Sequence, residues 1–478
     1  MPHALRGPLF LWLVLVSCQP AAARRGATVL FASGADLQSI NPLLTVHPLA
    51  RQVQRYVLLT TLVRYDSSLA PQPYLARAWQ WSPDRRALTF HLASDVRWHD
   101  GAPTAARDVA WTLEAARDPA TGYPRTGDLA ALDAVTSPDD STVRLHYAVP
   151  QVRFPDVLTD LAILPAHLLD SVPHDRLRTA AWNRTPVGNG PFRLVAHEPN
   201  RRWVFAANPD FPPRLGGPPR LDRFIVVVVD EPTTKLAALV SGELDFAGIQ
   251  PAHAEFVRHD PALAVVSYPV LLTYGIVLNL RRPPFADLGT RRVLDAALDR
   301  QEIVDGYLYG FGVPATGPVP AHLPGYLPLL RRAAETASAF EQRRAPIPFE
   351  LLTVGSGEAA LEQMVQAQLG RAGFAVTIRQ LELSAFFSRL YGPSHDFDAA
   401  VLGIPGDPGL GYLGPLAALA GADPPGDPGQ AQRLFADSTL VAFIYHARGL
   451  QGMNRRVRGA ALDIRGELAT VHDWRVAP

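Results

Sequence analysis

The segment Phe224-Ile-Val-Val-Val-Val229 is continuously apolar, which is typical of a β-strand that is covered on both faces. Directly after it, Asp230-Glu-Pro-Thr-Thr234 supplies capping side chains and a proline suited to the first turn of a helix. Apolar residues then follow at helical spacing until Gly242, where we expect the helix to stop. The next apolar run, Leu244-Asp-Phe-Ala-Gly-Ile249, predicts a returning strand. This strand–helix–strand pattern places the protein in the α/β class.

The alternation of strands and helices continues on both sides of this unit. Apolar residues that cluster or alternate predict strands at 27–31, 88–92, 142–147 and 374–378. Amphipathic patterns predict helices over 291–307 and 358–372. Proline and glycine are frequent at 211–219, 312–324 and 403–429. The last segment is the longest without periodicity, and long loops in compact domains are usually functional.

The composition excludes several classes of protein. The chain has 478 residues, and its 45 basic and 45 acidic side chains give a net charge of zero, so no net field draws it to a phosphate backbone. Hydrophobic residues make up 47% of the chain, which is too many for a disordered protein. Lys235 is the only lysine and lies in Thr-Thr-Lys-Leu, which does not fit a phosphate-binding P-loop. We expect a globular protein that does not bind nucleic acid.

The N-terminus has the pattern of a secretory leader. The apolar run Pro8–Val16 would reach only about 13 Å as a helix, whereas a bilayer core needs about 30 Å. Leu15-Val-Ser-Cys18 follows the pattern of a bacterial lipoprotein cleavage box, and Cys18 is the only cysteine. We therefore expect a signal peptide over 1–18 and a lipidated Cys18 that anchors the protein in the cell envelope. Ordinary cleavage near residues 21–23 is the alternative.

Motifs for catalysis are missing from the sequence. There is no Gly-x-Ser-x-Gly elbow, no His-Glu-x-x-His pair and no cysteine beyond the leader. His99-Asp100 lies before Gly101, and Asp-Gly is a turn signal. We expect no catalytic residue, no cofactor and no metal ligand. The rival interpretation is an envelope hydrolase in which His99, His395 or His446 lies beside a serine.

Six short segments follow one another along the chain: Leu75-Ala-Arg-Ala-Trp-Gln-Trp-Ser-Pro-Asp84, Trp98-His-Asp-Gly101, Pro186-Val-Gly-Asn-Gly-Pro-Phe192, Ala207-Asn-Pro-Asp-Phe211, Ser241-Gly-Glu-Leu-Asp245 and Leu298-Asp-Arg-Gln-Glu-Ile-Val304. In this order they resemble segments of the extracytoplasmic solute-binding proteins of ABC importers, family 5, which is the dipeptide-, oligopeptide- and nickel-binding group. The resemblance extends from about Ile40 to Trp474.

The resemblance implies a two-lobed periplasmic-binding-protein type II fold with an extra α/β domain beside the first lobe. The implied first lobe consists of three pieces, 27–65, 181–268 and 445–478. The extra domain is implied at 66–180 and the second lobe at 269–444.

The resemblance also implies a function. A monomeric, lipid-anchored periplasmic receptor would capture a peptide or similar small solute between its lobes and deliver it to an ABC permease in the cytoplasmic membrane. Three alternatives remain open: a receptor for nickel or another metal complex, a receptor for a different solute, and a degenerate paralogue with a signalling role.

Asp407 is the best match to the aspartate that holds the ammonium group of a peptide in peptide-binding members of the family. Its segment, Gly403-Ile-Pro-Gly-Asp-Pro-Gly409, lacks the family's tryptophan, and only 430–437 is expected to remain of the helix that usually follows. A Gly-Asp-Pro turn without a ligand is the alternative. The segments predicted to line the cleft are 60–62, 274–279 and 403–412. The predicted ligand-binding residues are Asp407, Thr60, Thr61, Tyr274, Asn279 and Tyr412.

Overall fold

A computed structural model describes residues 26–45, 47–329, 345–424 and 426–477. The predicted signal peptide and Cys18 lie outside these residues. The strands are β1 Thr28–Ser33, β2 Val63–Tyr65, β3 Pro71–Pro73, β4 Ala76–Trp81, β5 Ala87–Leu92, β6 Leu132–Asp139, β7 Thr142–Tyr147, β8 Phe192–Glu198, β9 Arg202–Ala207, β10 Arg223–Val228, β11 Phe246–Gly248, β12 Leu263–Leu278, β13 Gly312–Pro314, β14 Ile347–Val354, β15 Phe374–Leu381, β16 Ala399–Pro405, β17 Val441–Asn454, β18 Val457–Arg458 and β19 Arg475–Val476. The α-helices are α1 Pro48–Val53, α2 Ala106–Arg117, α3 Val157–Asp160, α4 Ala166–Leu169, α5 Pro232–Val240, α6 Ala254–His259, α7 Leu288–Ala296, α8 Arg300–Tyr307, α9 Ala360–Arg371, α10 Leu383–Tyr391, α11 Leu413–Ala420 and α12 Pro428–Ser438.

One sheet of 11 strands extends through the molecule in the order β15-β14-β16-β12-β17-β11-β1-β10-β9-β8, with β13 paired to β17. A separate antiparallel sheet of four strands has the order β4-β5-β7-β6. Helices cover the large sheet, so the α/β class is confirmed.

The strand–helix–strand unit forms as predicted. The Glu231 side chain caps α5 by accepting the Thr233 N–H at 2.9 Å, and Gly242 follows the helix with a φ of +76°, a conformation that favours glycine. Strands β10 and β11 are both parallel to β1, which lies between them. Phe224 and Val226 are buried, whereas Ile225, Val227 and Val229 on the other face are half-buried. Val227 and Val229 pack against the cluster that includes Leu239 of α5 and Val257 of α6, so this strand is covered fully on one face and partly on the other.

Two predicted segments differ from the structure. The helix predicted over 291–307 is two helices, α7 and α8, because the Asp299 side chain accepts the Glu302 N–H at 2.9 Å and starts a new helix. The region 403–429 contains helix α11, which the sequence analysis missed. Its sequence, Leu-Gly-Pro-Leu-Ala-Ala-Leu-Ala, is apolar on every side and therefore shows no amphipathic period.

The buried residues divide the molecule into two lobes around the large sheet. The first lobe, counted here together with 66–180, has one large apolar core that includes both β1 and the four-stranded sheet, and a smaller cluster under α5 and α6. The second lobe has a core on each face of its part of the large sheet, under α10 to α12 on one side and α7 to α9 on the other. No helix in the described ranges is long and apolar enough to cross a membrane.

Within the first lobe, His99 joins the turn after β5 to the segment that leads into β8. The His99 N–H donates to the Gly188 carbonyl at 2.7 Å. Its ring Nδ1 lies 3.2 Å from the Gly188 N–H nitrogen, and its Nε2 lies 3.1 Å from the Gly190 carbonyl oxygen. These contacts require Nδ1 to accept and Nε2 to donate, so the ring is neutral. Burial lowers the pKa of His99 to about 4, which fits this assignment.

The same segment packs directly on the backbone that follows α1. The Gly190 N–H donates to the Leu58 carbonyl at 2.9 Å, and the Asn189 side chain accepts the Thr60 N–H at 2.8 Å. A Cβ at residue 188 would lie 2.0 Å from the Leu58 carbonyl oxygen, and one at residue 190 would lie 2.6 Å from the Leu58 carbonyl carbon. Only glycine fits at either position. We call Leu58, Thr60, His99 and 188–190 the glycine junction.

We predict that Gly188→Ala destabilises the protein by about 1–3 kcal/mol or more, because the new methyl group must displace a backbone carbonyl. Urea unfolding measures the free energy. Gly127→Ala is the matched control, since no atom lies within 4 Å of a Cβ at that position. Equal stability of the two variants would contradict the close packing at the junction.

We predict that His99 makes the folded state less stable as the pH falls from about 6.5 toward 4. Its folded pKa of about 4 lies below the ordinary value of 6.5, so the unfolded chain takes up the proton first and the stability present above pH 6.5 is lost on acidification. Glutamine offers one acceptor and one donor without titrating. The stability of His99→Gln should therefore decline less steeply with pH than that of the wild type or of His91→Gln, the control. Parallel profiles for all three would refute this.

Candidate functional site

Two long strands, β12 and β17, connect the lobes. They pair antiparallel, with register shifts between Pro269 and Thr273 and between Tyr274 and Gly275. Such irregularities bend a strand and disrupt the ladder locally. Beside the first shift, the Thr273 hydroxyl oxygen lies 2.9 Å from Nδ1 of His446. The region around these shifts is therefore the candidate hinge.

The loop after β16 lies against this hinge. We call residues 406–412 the Asp407 loop. The two oxygens of the Asp407 carboxylate accept N–H groups of the same loop, from Gly411 at 3.0 Å and from Tyr412 at 3.1 Å. The Gly406 N–H donates to the carbonyl of Leu271, in β12, at 2.8 Å. Asp407 is half-buried, so its carboxylate stabilises the turn and remains partly accessible.

The Asp407 loop contacts the first lobe at Gly409. Arg153 donates to the Gly409 carbonyl at 2.7 Å. A Cβ at residue 409 would lie 2.5 Å from Oδ2 of Asp156 and 3.2 Å from Oδ1 of Asp407. These two carboxylate oxygens are therefore at most 5.7 Å apart, the sum of the two distances. Burial raises the pKa of Asp156, and the nearby Asp407 carboxylate adds to the rise. Charged groups from both lobes thus meet at this loop.

A pocket of about 110 Å³ lies in the second lobe next to the loop. Tyr412 marks its position, because the Tyr412 hydroxyl donates to the Pro318 carbonyl at 2.8 Å. The lining includes Pro314, Thr316, Pro318, Tyr326, Gln432 and His446. Small-molecule sites usually measure about 300 Å³ or more, so the pocket suits one ligand group rather than a whole small molecule. The proline- and glycine-rich composition of 312–324 was the only sequence signal for it.

The two predicted tyrosines lie in different surroundings. Tyr412 belongs to the Asp407 loop, and burial raises its pKa. Tyr274 lies in β12 and stacks on Tyr445 with ring centroids 4.8 Å apart. Burial, with the carboxylate of Glu362, raises the pKa of Tyr274. Its ring packs against the core under α7 to α9, whereas the loop packs on the core under α10 to α12.

The other three predicted residues are buried. Asn279 donates to the carbonyls of His395 at 3.0 Å and Phe397 at 2.8 Å. It lies seven residues along β12 from Leu272, the partner of Pro405, and thus about 23 Å from the loop end of the strand. The Thr61 hydroxyl donates to the Val63 carbonyl at 2.7 Å. Thr60 belongs to the glycine junction, and its buried hydroxyl has no hydrogen-bond partner among the described residues. The structure does not bring these three side chains to Asp407.

The histidines of the rival hydrolase interpretation have other partners. His99 binds the backbone of the glycine junction, and Nδ1 of His395 lies 2.9 Å from the Leu390 carbonyl. His446 contacts a threonine hydroxyl, and burial lowers its pKa to about 4. Among the residues that the structure describes, no three His, Cys, Asp or Glu side chains are placed to hold a metal ion.

Comparison with known proteins identifies the family. A model of the bacterial extracellular solute-binding proteins, family 5 middle, matches residues 70–419. A putative ABC transporter peptide-binding protein of Brucella ovis is 28% identical over 362 residues, which cover 73% of this chain and 68% of that protein. Di/tripeptide-binding protein 4 of Pseudomonas aeruginosa is 28% identical over 423 residues, 81% of this chain and 77% of that one.

Solved structures share the fold. The oligopeptide-binding protein AppA of Bacillus subtilis, in complex with a nonapeptide, matches with a TM-score of 0.74 and 22% identity, over 94% of this chain and 99% of that one. The ABC transporter substrate-binding protein CtaP of Listeria monocytogenes matches with a TM-score of 0.84 and 18% identity, over 95% of this chain and 100% of that one. The two-lobed fold is therefore confirmed, and the chain belongs to family 5 of the bacterial extracellular solute-binding proteins.

Proposed function

We propose that this protein is the substrate-binding receptor of an ABC importer, and that it captures a peptide or similar small solute between its lobes for delivery to a membrane permease. The observation that carries the proposal is the meeting of the Asp407 loop with Arg153 and Asp156 beside the hinge strands. A solute bound beside this contact would be enclosed by both lobes. It would stabilise the closed state by the contacts that exist only when the lobes are together.

A peptide is the ligand that the relatives favour, since two of them are named for peptide binding. Asp407 would bind its ammonium group, with Tyr412 at the edge of the same site. Thr60, Thr61, Tyr274 and Asn279 complete the proposed set. A nickel complex is the alternative that one structural relative raises, since NikZ of Campylobacter jejuni was solved with Ni(L-His).

The remaining features of the proposal concern location and form. The receptor acts outside the cytoplasm as a monomer without catalytic activity, anchored through a lipid on Cys18. The proposed first lobe consists of 27–65, 181–268 and 445–478. The proposed extra domain is 66–180, and the proposed second lobe is 269–444.

Native mass spectrometry of the purified protein tests the proposal, because a solute held between closed lobes can remain bound through purification. We expect an added mass that collision releases as a peptide or another amine-bearing solute. A protein that carries no solute and gains none from a peptide mixture would contradict the proposal.

We predict that Asp407→Asn weakens binding of an amine-bearing ligand by roughly two to four decades. Removing the carboxylate leaves a buried cation unpaired, which costs about 3–5 kcal/mol. Isothermal titration calorimetry with the solute found by mass spectrometry measures the change.

The control is Asp139→Asn, because Asp139 likewise accepts a backbone N–H of its own turn, from Ser141 at 2.8 Å. It should leave the affinity unchanged. A loss below threefold in Asp407→Asn would mean that Asp407 only stabilises its turn.

We predict that Cys18→Ser moves the protein from the detergent phase to the aqueous phase in Triton X-114 partitioning. The variant cannot be acylated, and acyl chains are what hold such a protein on a membrane. Ser17→Ala, beside the same cysteine, is the control and should stay in the detergent phase. Equal aqueous recovery of wild type and Cys18→Ser would contradict lipidation.

A further inference from the structure

We propose that Arg153 and Asp156 of the first lobe are positioning residues that hold the Asp407 loop in the closed state. Arg153 donates to the Gly409 carbonyl, and the Asp156 carboxylate packs against the backbone of the same residue. The inference rests on the proposed function only in requiring that the lobes open and close. These two side chains would help to retain the ligand by holding the lobes together, without needing to touch the ligand themselves.

The Gly409 carbonyl accepts a hydrogen bond of 2.7 Å from Nη1 of Arg153. Nη2 of the same guanidinium lies 3.9 Å from the point that a Cβ of Gly325 would occupy. One arginine thus reaches two separate loops of the second lobe. Hydrogen bonds that involve a charged group are stronger than neutral ones, so this side chain is suited to joining surfaces that separate when the lobes open.

The Asp156 carboxylate lies beside the backbone of Gly409, since a Cβ at residue 409 would lie 2.5 Å from its Oδ2 atom. The other oxygen of that carboxylate accepts the hydroxyl of Tyr65, in β2. The hydroxyl fixes the orientation of Asp156 before the lobes meet, which lowers the entropic cost of the contact. Tyr65 and Leu69 also pack on the second-lobe core that includes Leu410, so apolar contact surrounds the polar one.

Charged side chains from both sides of the boundary surround Asp156. Asp407 lies across the boundary and disfavours the ionised form of Asp156, while Arg125 favours it. Arg153 supplies a positive charge at the same residue of the loop. An opened cleft would leave Asp156 and Arg153 hydrated and separate, so the contact forms only on closure and contributes to the closed state alone.

Glycine at position 409 is required by this arrangement. A Cβ there would lie 2.5 Å from the Asp156 carboxylate, closer than a real Cβ can approach. Gly409→Ala should therefore keep the loop away from the first lobe. Because its Cβ would also lie 3.2 Å from Oδ1 of Asp407, Arg153→Gln tests the same contact without altering the loop. Gly414→Ala is the matched control, because its Cβ would meet only Pro424, at 3.9 Å.

The test is the distance between two spin labels measured by double electron–electron resonance in the full chain. With Cys18→Ser as background, the chain has no other cysteine. Val195→Cys in β8 and Val354→Cys in β14 place the labels on exposed positions of the two lobes. Each variant is measured as purified and after removal of bound solute by partial unfolding and refolding. Melting temperatures are recorded alongside.

We expect two populations of label-to-label distance in the wild type, a short one from closed lobes and a long one from open lobes. Removal of solute should shift the population from short to long. Gly409→Ala and Arg153→Gln should each lower the ratio of short to long distances by about tenfold or more, the factor that 1.4 kcal/mol makes in an equilibrium constant. Melting temperatures should stay close to wild type. Arg153→Lys should restore part of the ratio. Gly414→Ala and Arg176→Gln, an exposed arginine elsewhere, should leave it unchanged.

Wild-type ratios in both Gly409→Ala and Arg153→Gln would overturn the positioning role while leaving the receptor function intact. A single distance in the wild type, unaffected by removal of solute, would mean that the lobes do not move and would overturn both proposals. Equal losses in Arg153→Gln and Arg176→Gln would assign the effect to overall charge and also overturn the positioning role.

Discussion

The approach of Gly188 and Gly190 to the Leu58 carbonyl is the contact on which the arrangement of the first lobe depends. Three parts of the chain that are distant in sequence meet there: the segment after α1, the turn that carries His99, and the segment that leads into β8. The side chains of His99 and Asn189 each bond to the backbone of another part. A Cβ at either glycine would clash with the Leu58 backbone and so push these parts of the chain apart. The sequence pattern Pro-Val-Gly-Asn-Gly-Pro-Phe is thus a packing motif, and His99 in Trp-His-Asp-Gly is its partner.

The first lobe carries the side chains that contact the second lobe. Strands β12 and β17 connect the lobes, and their register shifts are close to the Asp407 loop. Tyr65, Arg153 and Asp156 all project from the first lobe toward this loop. A solute receptor requires a rigid surface on each side of the cleft and a weak connection between them. The glycine junction makes the first lobe rigid, and the irregular strands β12 and β17 form the flexible connection between the lobes.

The sequence was sufficient to predict the α/β class, the central strand–helix–strand unit and the family, because these depend on local patterns and on short motifs. The predictions from the sequence were wrong where tertiary contacts determine the structure. Asp299 divided a helix whose apolar period looked continuous, and helix α11 has no polar face to reveal it. Asp407 was identified by resemblance alone. Arg153 and Asp156 could not be predicted, since neither lies in a motif and their partner is a backbone group about 250 residues away.

The central claim is that this protein closes around a solute. Small-angle X-ray scattering of the same sample, first freed of solute and then saturated with the solute that mass spectrometry identifies, tests it most directly. The account predicts that the radius of gyration falls on binding, as the lobes come together at the Asp407 loop. Tight binding with an unchanged radius of gyration and an unchanged distance distribution would contradict it.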